Sequence, residues 1–214
     1  MPFDLSLYLV TDANLCAPFG LEQTVAAAVQ GGVTILQLRD KHASDAQMIA
    51  QAKRLKTLLA GSGVPLIIND RLHVALESNA DGLHVGQSDT AVQEARQALG
   101  PNAIIGLSIN TLSQLQAAPV ELLDYVGLGP VFATGSKQDH AQPIGFDGLA
   151  QLAEICPLPC VAIGGLKVEH AAHVKTAGAN GLAVISAICG QPDPRQAARA
   201  FSAVGQTQEA GIPS

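Results

Sequence analysis

Short apolar runs, many rich in β-branched residues, alternate with longer amphipathic segments along almost the whole chain. The apolar runs predict eight strands, namely SLYLV (6–10), TILQL (34–38), PLIIN (65–69), DGLHV (81–85), AIIGLS (103–108), YVGLG (125–129), CVAIG (160–164) and GLAVI (181–185). Segments rich in Ala and Leu follow them and predict helices near residues 21–30, 45–60, 71–77, 90–98, 111–117, 147–154, 168–177 and 194–203. The pattern is therefore a strand–helix unit repeated eight times.

Two of the predicted helices carry capping signals at their beginning. Ser44 and Gln47 form the capping-box pattern ahead of an apolar stripe, and Gly61 supplies a left-handed stop. Thr90 and Gln93 repeat the capping-box pattern farther along the chain. These signals support the helical assignment independently of hydrophobicity.

The order of the elements predicts the fold. Strands that alternate with helices and lack hairpin signals pair in parallel through right-handed crossovers. Eight units in 214 residues give about 27 residues per unit, near the compact limit of a barrel. An open, doubly wound sheet is the alternative, but no G-x-G-x-x-G pattern follows the first strand. We expect one α/β domain, a (β/α)8 TIM barrel and catalytic domain over residues 1–205, followed by a flexible C-terminal tail at 206–214.

Composition fits a single barrel with an aliphatic core. Hydrophobic residues make up 48% of the chain, charged residues 14% and aromatic residues 3%. The net charge of −6 argues against a nucleic-acid partner, which usually requires a basic face. We find no signal-peptide pattern and no apolar run of membrane-spanning length, so we expect a cytoplasmic protein with no membrane partner. The four cysteines form no C-x-x-C pair and are expected to be reduced thiols.

Polar residues lie near the ends of several predicted strands, where TIM barrels place their active sites. Gln37 and Arg39 are two residues apart and therefore share one side of the second strand, and Lys41 continues the series into the loop. Buried Gln and Arg side chains are costly unless they contact a ligand or a partner. An internal layer of salt bridges is one interpretation, while the position of Lys41 beyond the strand favours a ligand.

Two carboxylates follow neighbouring strands. Asp70 comes after the third strand and Asp89 shortly after the fourth. Neighbouring parallel strands lie about 4.8 Å apart, so the two carboxylates can face one site. A small set of oxygen ligands suits Mg²⁺, which keeps waters and accepts phosphate oxygens. The alternative is that each Asp supports the start of a helix. His84, in the fourth strand, is a candidate pocket residue.

Hydroxyl and ammonium groups follow the fifth and sixth strands. Ser108 ends the fifth strand and can donate to a phosphate oxygen. The longest irregular segment, residues 129–148, contains Thr134, Ser136 and Lys137, and long loops in compact domains are usually functional. We expect this segment to form a mobile flap over the site.

Glycines and a short backbone segment follow the last two strands. In TIM barrels the loops after the seventh and eighth strands, with a helix N-terminus, form a common phosphate site. Gly164, Gly165, Ile185 and Ser186 are the candidates for this site. Two anion sites at one barrel mouth suggest a reaction that joins two phosphorylated small molecules, with pyrophosphate as the leaving group.

The motifs YLVTD, QLRDK, INDR, GLHVGQSD, GLS, DYVGLGPVFATGSK, AIGG and VISAI occur in this order along nearly the whole chain. Together they resemble the thiamine-phosphate synthase family. The resemblance implies a Mg²⁺-dependent transferase of thiamine biosynthesis that couples 4-amino-2-methyl-5-pyrimidinylmethyl diphosphate to a thiazole ethyl phosphate, the carboxythiazole tautomer. Its products are thiamine phosphate and pyrophosphate.

The resemblance also implies a role for each matching residue. The residues implied to bind the pyrimidine diphosphate are Gln37, Leu38, Arg39, Asp40, Lys41, Asn69, Ser108 and Lys137. Those implied to bind the thiazole phosphate are Thr134, Gly135, Ser136, Gly165, Ile185 and Ser186. One Mg²⁺ per subunit is implied at Asp70 and Asp89, and a catalytic role is implied for Lys137, Arg39 and Ser108.

Two positions depart from the family pattern, since members often have Pro where Ala133 stands and Thr where Ser136 stands.

Other functions stay open at this point. A thiazole tautomerase resembles the synthase but tends to carry His at the position of Pro130. A non-catalytic sensor of thiamine intermediates would not need to stabilise a leaving group. An unrelated phosphate-binding barrel, an isomerase or lyase, would leave Asp70 and Asp89 unexplained. The sequence also leaves the oligomeric state open, a homo-oligomer included.

Overall fold

The computed structural model describes residues 3–87, 91–134 and 142–207, with the backbone alone from 204 to 207. Within these residues eight parallel strands form a closed barrel in which β1 to β8 follow one another in chain order. The strands are β1 Leu7–Val10, β2 Ile35–Leu38, β3 Leu66–Asn69, β4 Gly82–Val85, β5 Ile104–Ile109, β6 Tyr125–Leu128, β7 Cys160–Ile163 and β8 Gly181–Val184. β1 pairs with both β2 and β8, so the barrel is closed and the open-sheet alternative is wrong.

Helices follow the strands and cover the outside of the barrel. Those described are α1 Ala13–Cys16, α2 Leu21–Gln30, α3 Asp45–Leu59, α4 Leu72–Ser78, α5 Val92–Leu99, α6 Leu112–Ala117, α7 Gly145–Ile155, α8 Ala171–Thr176 and α9 Pro194–Thr207, with short 3-10 helices at Val120–Leu122 and Val168–His170. The predicted (β/α)8 barrel is confirmed, and each predicted strand overlaps an observed one. Among the described helices, none combines the length and the apolarity needed to cross a lipid bilayer.

The helices differ from the predictions mainly at their ends. The capping box of Ser44 and Gln47 is confirmed at the start of α3. The sequence pattern does not predict α1, because four residues are too few to display a helical period. Thr90 lies outside the described residues, and α5 begins at Val92. α9 continues to Thr207, two residues into the predicted tail, and the rest of that tail lies outside the described residues.

Two apolar layers stabilise the barrel. The outer layer lies between strands and helices, and α3 contributes to it a buried stripe of Met48, Ala52, Leu55 and Leu59. The inner layer fills the barrel itself with Leu5, Tyr8, Val10, Ile35, Ile67, Tyr125, Val161 and Ala183. Each buried aliphatic side chain in such a layer contributes about 1.5–3 kcal/mol through removal of apolar surface from water. The helices are therefore held on the barrel by the outer layer, and the barrel is solid rather than hollow.

Tyr8 and Tyr125 lie in the middle of the barrel and are fully buried. Gly106 on β5 leaves room for the Tyr125 ring, because a Cβ atom at Gly106 would lie 2.2 Å from it. Phe3, ahead of β1, packs edge-on against Tyr125 with the ring centroids 6.0 Å apart. The N-terminal end of the barrel is therefore filled with apolar side chains, and the polar side chains lie toward the C-terminal end.

Candidate active site

A cavity of about 370 Å³ opens at the C-terminal ends of the strands, the location of the active site in TIM barrels. Its volume lies in the range of small-molecule sites. The predicted site residues that line it are Arg39, Lys41, Asn69, Asp70, His84, Ser108, Thr134, Gly164, Gly165, Ile185 and Ser186. The fold therefore brings together residues from the ends of β2 through β8.

The other predicted site residues fall into two groups. Four lie outside the described part of the chain, namely Asp89, Gly135, Ser136 and Lys137. Gln37, Leu38 and Asp40 are described but are not part of the cavity lining. Leu38 packs in the outer apolar layer, and the Asp40 carboxylate accepts hydrogen bonds from the N–H groups of His42 and Ala43 at 2.9 and 3.0 Å. Asp40 therefore shapes the loop after β2.

Arg39 places a cation in the cavity wall. The residue is only 6% exposed, and its N–H donates to Thr11 Oγ1 at 3.0 Å. Within the described residues its Nε is buried without a hydrogen-bond partner, and Arg39 forms no ion pair with them. An internal salt-bridge layer is thus not found in this part of the chain. A buried donor without a partner costs about 1–3 kcal/mol, and Arg39 lines the cavity with its charge unpaired among the described residues.

A chain of hydrogen bonds crosses the barrel interior from β2 to β5. Nε2 of Gln37 donates to Tyr8 Oη at 2.7 Å, and Tyr8 Oη lies 2.8 Å from Tyr125 Oη. Tyr125 Oη lies 2.9 Å from His84 Nδ1, and His84 Nε2 lies 2.9 Å from Ser108 Oγ. Gln37 therefore contacts a tyrosine inside the barrel, and His84 connects that tyrosine pair to the cavity.

Each hydroxyl in this chain can donate one hydrogen bond and also accept. The Gln37 amide donates to Tyr8, and either hydroxyl can be the donor in the contact between Tyr8 and Tyr125. The roles of the two His84 nitrogens depend on its tautomer: with the proton on Nε2, His84 accepts from Tyr125 and donates to Ser108, and the Ser108 hydroxyl proton is then available to a ligand. Burial raises the pKa of both tyrosines well above their ordinary value near 10, so both stay protonated donors.

Asp70 lies at the cavity wall beside the end of β4. Its N–H donates to the carbonyl of His84 at 2.9 Å, and the amide of Asn69 donates to its Oδ2. The backbone φ of Asp70 is +64°, in the left-handed region that residues other than glycine seldom adopt. Backbone strain of this kind concentrates at functional sites and costs about 1–3 kcal/mol. Asp70 is therefore held in an unusual conformation at the cavity wall.

The residues at this wall fit a magnesium ion that shares its ligands with a substrate. Mg²⁺ binds to one or two carboxylates and completes its shell with water and phosphate oxygens. Asp70 provides one carboxylate at the cavity wall, and its Oδ2 accepts a hydrogen bond from the amide nitrogen of Asn69. Across residues 3–87, 91–134 and 142–207 we find no cluster of three or more His, Cys, Asp or Glu side chains that could hold a metal alone.

Arg71 holds the loop that carries Lys41. Its guanidinium donates to the carbonyl of Ala43 at 2.7 Å, to Oδ1 of Asp45 at 2.9 Å and to the carbonyl of Asp40 at 3.2 Å. These three bonds anchor both sides of the turn that contains Lys41. Hydrogen bonds to a charged donor contribute about 1.5–3 kcal/mol each, so the loop is firmly attached to the start of α4.

Another wall of the cavity consists mainly of backbone. Gly164 and Gly165 follow β7 with φ values of 103° and 63°, which favour glycine. A Cβ atom at Gly164 would lie 2.5 Å from the Cβ of Pro130, so the loops after β6 and β7 can approach each other only because that side chain is absent. Ile185 and Ser186 follow β8 and line the same cavity. Because no side chain covers the backbone at these glycines, its N–H groups can approach a phosphate closely.

Three residues described here are missing from the sequence-based set: Tyr8, Tyr125 and Arg71. A signal existed for the tyrosines, because the chain contains only two, and both lie in predicted barrel strands. A buried Tyr hydroxyl usually needs a partner, so two of them inside one barrel predict a polar contact there. Arg71 offers no comparable signal, since its partners lie 26 to 31 residues away in sequence.

The chain as a whole is similar to proteins of known function. A family model described as thiamine monophosphate synthase matches residues 7–188. A thiamine-phosphate synthase of Psychrobacter sp. is 56% identical over 197 residues, which cover 91% of this chain and 92% of the relative. A thiamine-phosphate synthase of Azorhizobium caulinodans is 51% identical, covering 96% of this chain and 97% of its own. The solved thiamine phosphate pyrophosphorylase from Pyrococcus furiosus gives a TM-score of 0.87 at 34% identity and 99% coverage of both chains.

Proposed function

The chain belongs to the thiamine monophosphate synthase family, and on that premise we propose that it synthesises thiamine phosphate. The substrates are 4-amino-2-methyl-5-pyrimidinylmethyl diphosphate and a thiazole ethyl phosphate in its carboxythiazole form. The second product is pyrophosphate. The protein is a transferase, and we place it in the cytoplasm.

One observation carries this proposal: Arg39 and the pair Gly164 and Gly165 face the same cavity. Arg39, which lines the cavity and forms no ion pair among the described residues, suits a diphosphate. The glycine pair, together with Ser186, suits the phosphate of the second substrate. A cavity with an anion site on each of two walls can hold two phosphorylated molecules next to each other.

The reaction exchanges one bond at the methylene carbon of the pyrimidine for another. The carbon–oxygen bond to diphosphate breaks, and its electron pair departs with pyrophosphate. The electron-rich aminopyrimidine carries the positive charge that remains, and the lone pair of the thiazole nitrogen forms the new carbon–nitrogen bond. No protein nucleophile is required, so the protein acts by orienting two rings and by stabilising the leaving group.

The side chains of the cavity supply that stabilisation. Arg39 and Lys41 place cationic donors beside the departing diphosphate, and Lys137, outside the described residues, is proposed as a third. Ser108 adds a hydroxyl donor when His84, 2.9 Å away, carries its proton on Nε2. Donors fixed in this way before the reaction each lower the barrier by about 2.7–4 kcal/mol in comparable sites.

Magnesium completes the proposed site. Asp70 would hold one Mg²⁺ per subunit together with Asp89, which lies outside the described residues. When bound, the ion supplies Lewis-acid stabilisation of the negative charge on the leaving group. Asp70 contributes a carboxylate at the cavity wall, where its backbone adopts the left-handed conformation.

The test combines the purified full-length protein with both substrates and Mg²⁺ and measures thiamine phosphate and pyrophosphate by chromatography. We expect the two products in equal amounts, only when both substrates are present. EDTA should abolish their formation, and excess Mg²⁺ should restore it. Absence of thiamine phosphate when protein and substrates are present in equal concentrations would contradict the proposal.

The same experiment separates the alternative functions. Exchange between tautomers of the thiazole phosphate alone, without formation of thiamine phosphate, would indicate a tautomerase. Pro130 lines the cavity at the position where tautomerases tend to carry His, which disfavours that outcome. Tight binding of both phosphates without turnover would indicate a sensor. Size-exclusion chromatography with light scattering measures whether the protein is a homo-oligomer, which stays a prediction.

A further inference from the structure

Two cysteines from distant parts of the chain meet at the C-terminal end of the barrel. Sγ of Cys16 lies 3.4 Å from Sγ of Cys189, and both residues are 1% exposed. Cys16 is the last residue of α1, and Cys189 lies in the turn after β8. The two positions are 173 residues apart in sequence, so closure of the barrel brings the thiols together.

We propose that Cys16 and Cys189 form a modification site, at which a small peroxide oxidises the two thiols to a disulfide. The Sγ–Sγ distance in a disulfide is about 2.05 Å, so the sulfurs have to approach by about 1.4 Å. The segments that carry them are already packed, because a Cβ atom at Gly190 would lie 3.4 Å from Cδ2 of Leu15. A small, uncharged oxidant is required, since both thiols are buried.

The two thiols differ in reactivity. The contact with Cys189 lowers the pKa of Cys16, because a thiol beside it can donate to its thiolate. The same contact, with burial, raises the pKa of Cys189. Thiolates rather than thiols attack oxidants, so Cys16 reacts first and Cys189 second. Burial also raises the pKa of Cys156, and that of Cys160 to about 11, which makes both less reactive than Cys16.

The oxidation proceeds in two balanced steps. The Cys16 thiolate attacks one oxygen of hydrogen peroxide, the oxygen–oxygen bond breaks, and hydroxide leaves. The hydroxide takes up the proton that the Cys16 thiol released and becomes water. Cys16 becomes a sulfenic acid. The sulfur of Cys189 then attacks the sulfenic sulfur and displaces its oxygen, which leaves as water with the Cys189 proton. Two thiols and one peroxide thus give one disulfide and two waters.

The disulfide would fasten α1 to a loop that forms part of the cavity wall. The N–H of Cys189 donates to the carbonyl of Ile185 at 2.8 Å, and Ile185 and Ser186 both line the cavity. The modified loop is therefore the one proposed to contact a phosphate. The thiol chemistry itself depends only on the pair and does not require the proposed enzymatic activity.

Tryptic peptides distinguish this pair from the other thiols. Cys16 lies in peptide 1–39 and Cys189 in peptide 176–195, whereas Cys156 and Cys160 share peptide 138–167. The native full-length protein is treated with increasing hydrogen peroxide, quenched and unfolded, its remaining thiols are alkylated, and the digest is analysed by mass spectrometry. We expect peptides 1–39 and 176–195 to appear cross-linked and to separate after reduction with dithiothreitol.

The proposal is overturned if both peptides carry alkylated thiols at every peroxide concentration up to the one that oxidises Cys156. In Cys189→Ser the second thiol is missing, so Cys16 should stop as a sulfenic acid that dimedone captures. The matched control Cys156→Ser should give the same cross-link as the wild type. The cross-link itself is measured in the wild-type protein and needs no variant.

Discussion

Nδ1 of His84 lies 2.9 Å from the hydroxyl of Tyr125, and this contact joins the buried interior of the barrel to the cavity at its mouth. The other ring nitrogen of His84 contacts Ser108 at 2.9 Å, so the imidazole is held between two oxygens. Tyr125 does not line the cavity, so a residue outside the lining contacts the histidine that positions Ser108. If Ser108 acts as proposed, stability and catalysis are coupled through this histidine.

Tyr125→Phe removes the hydroxyl that His84 contacts and keeps the ring. We expect a loss of stability of about 1–3 kcal/mol in urea unfolding, since buried groups on both sides lose a partner. We also expect kcat to fall by about tenfold, because Ser108 loses its orientation. Tyr8→Phe is the matched control, one step farther from Ser108, and should lose similar stability with a kcat closer to the wild type. A wild-type kcat for Tyr125→Phe would disprove the coupling.

Arg39→Gln removes the buried guanidinium while keeping much of the side-chain length. We expect kcat/KM for the pyrimidine diphosphate to fall by about a hundred- to a thousandfold, because one fixed donor to the leaving group is lost. Steady-state kinetics with the thiazole phosphate held saturating measures the change. Arg54→Gln is the control, since Arg54 forms an exposed ion pair with Glu22 at 2.6 Å and should keep wild-type kinetics. Equal kinetics for the two variants would argue against a role for Arg39 in the reaction.

Asp89→Ala removes one of the two proposed magnesium ligands. We expect it to lose most activity and most of its dependence on Mg²⁺, and we expect Asp70→Asn to require a higher Mg²⁺ concentration for half-maximal rate. Titration of the rate with MgCl₂ gives both results. Glu121→Gln is the control, because Glu121 lies in the 3-10 helix ahead of β6, at the other end of the barrel. Near-normal turnover in Asp89→Ala would rule out the metal assignment.

Arg71→Ala releases the loop that carries Lys41 without removing a group from the cavity lining. We expect KM for the pyrimidine diphosphate to rise by about fivefold, the equivalent of about 1 kcal/mol, while kcat changes little. Arg71→Lys should recover only part of the loss, since an ammonium group cannot reproduce the several directed bonds of a guanidinium. An unchanged KM in Arg71→Ala would show that the loop keeps its shape without this residue.

Alkaline pH should destabilise the protein through its buried tyrosines. Burial raises the pKa of Tyr8 and Tyr125 in the folded protein, whereas both ionise near pH 10 when unfolded. Their contribution to stability is therefore complete below about pH 10 and declines above it, by about 1.4 kcal/mol per pH unit for each tyrosine. Urea unfolding between about pH 8 and 11 measures the decline. Tyr8→Phe should decline less steeply than the wild type, and identical slopes would contradict the assignment.

Much of the barrel was predictable because a strand buried on both faces leaves an uninterrupted apolar run in the sequence. All eight runs correspond to strands of the closed barrel. Gln37, in β2, and Arg39, directly after it, are both buried, but Arg39 lines the cavity and Gln37 does not. Periodicity fails for α1, whose four residues complete only one turn.

The partners of buried polar groups were harder to predict. Gln37 contacts Tyr8, which lies 29 residues away, and Tyr8 contacts Tyr125, which lies 117 residues away. Such pairs depend on how eight strands are staggered around a closed barrel, and no local pattern contains that information. The resemblance to a known family indicated the residues at the barrel mouth, but it did not indicate the tyrosines behind them.

The apolar filling around Phe3, Leu5 and Tyr125 determines how molecules enter and leave. Within the described residues the barrel is filled at its N-terminal end, so in the proposed reaction both substrates would arrive, and both products would depart, through the opening at the C-terminal end. Pyrophosphate would have to leave this opening before another diphosphate could bind. We therefore expect accumulated pyrophosphate to slow turnover in the proposed reaction by competing with the incoming diphosphate for the cavity.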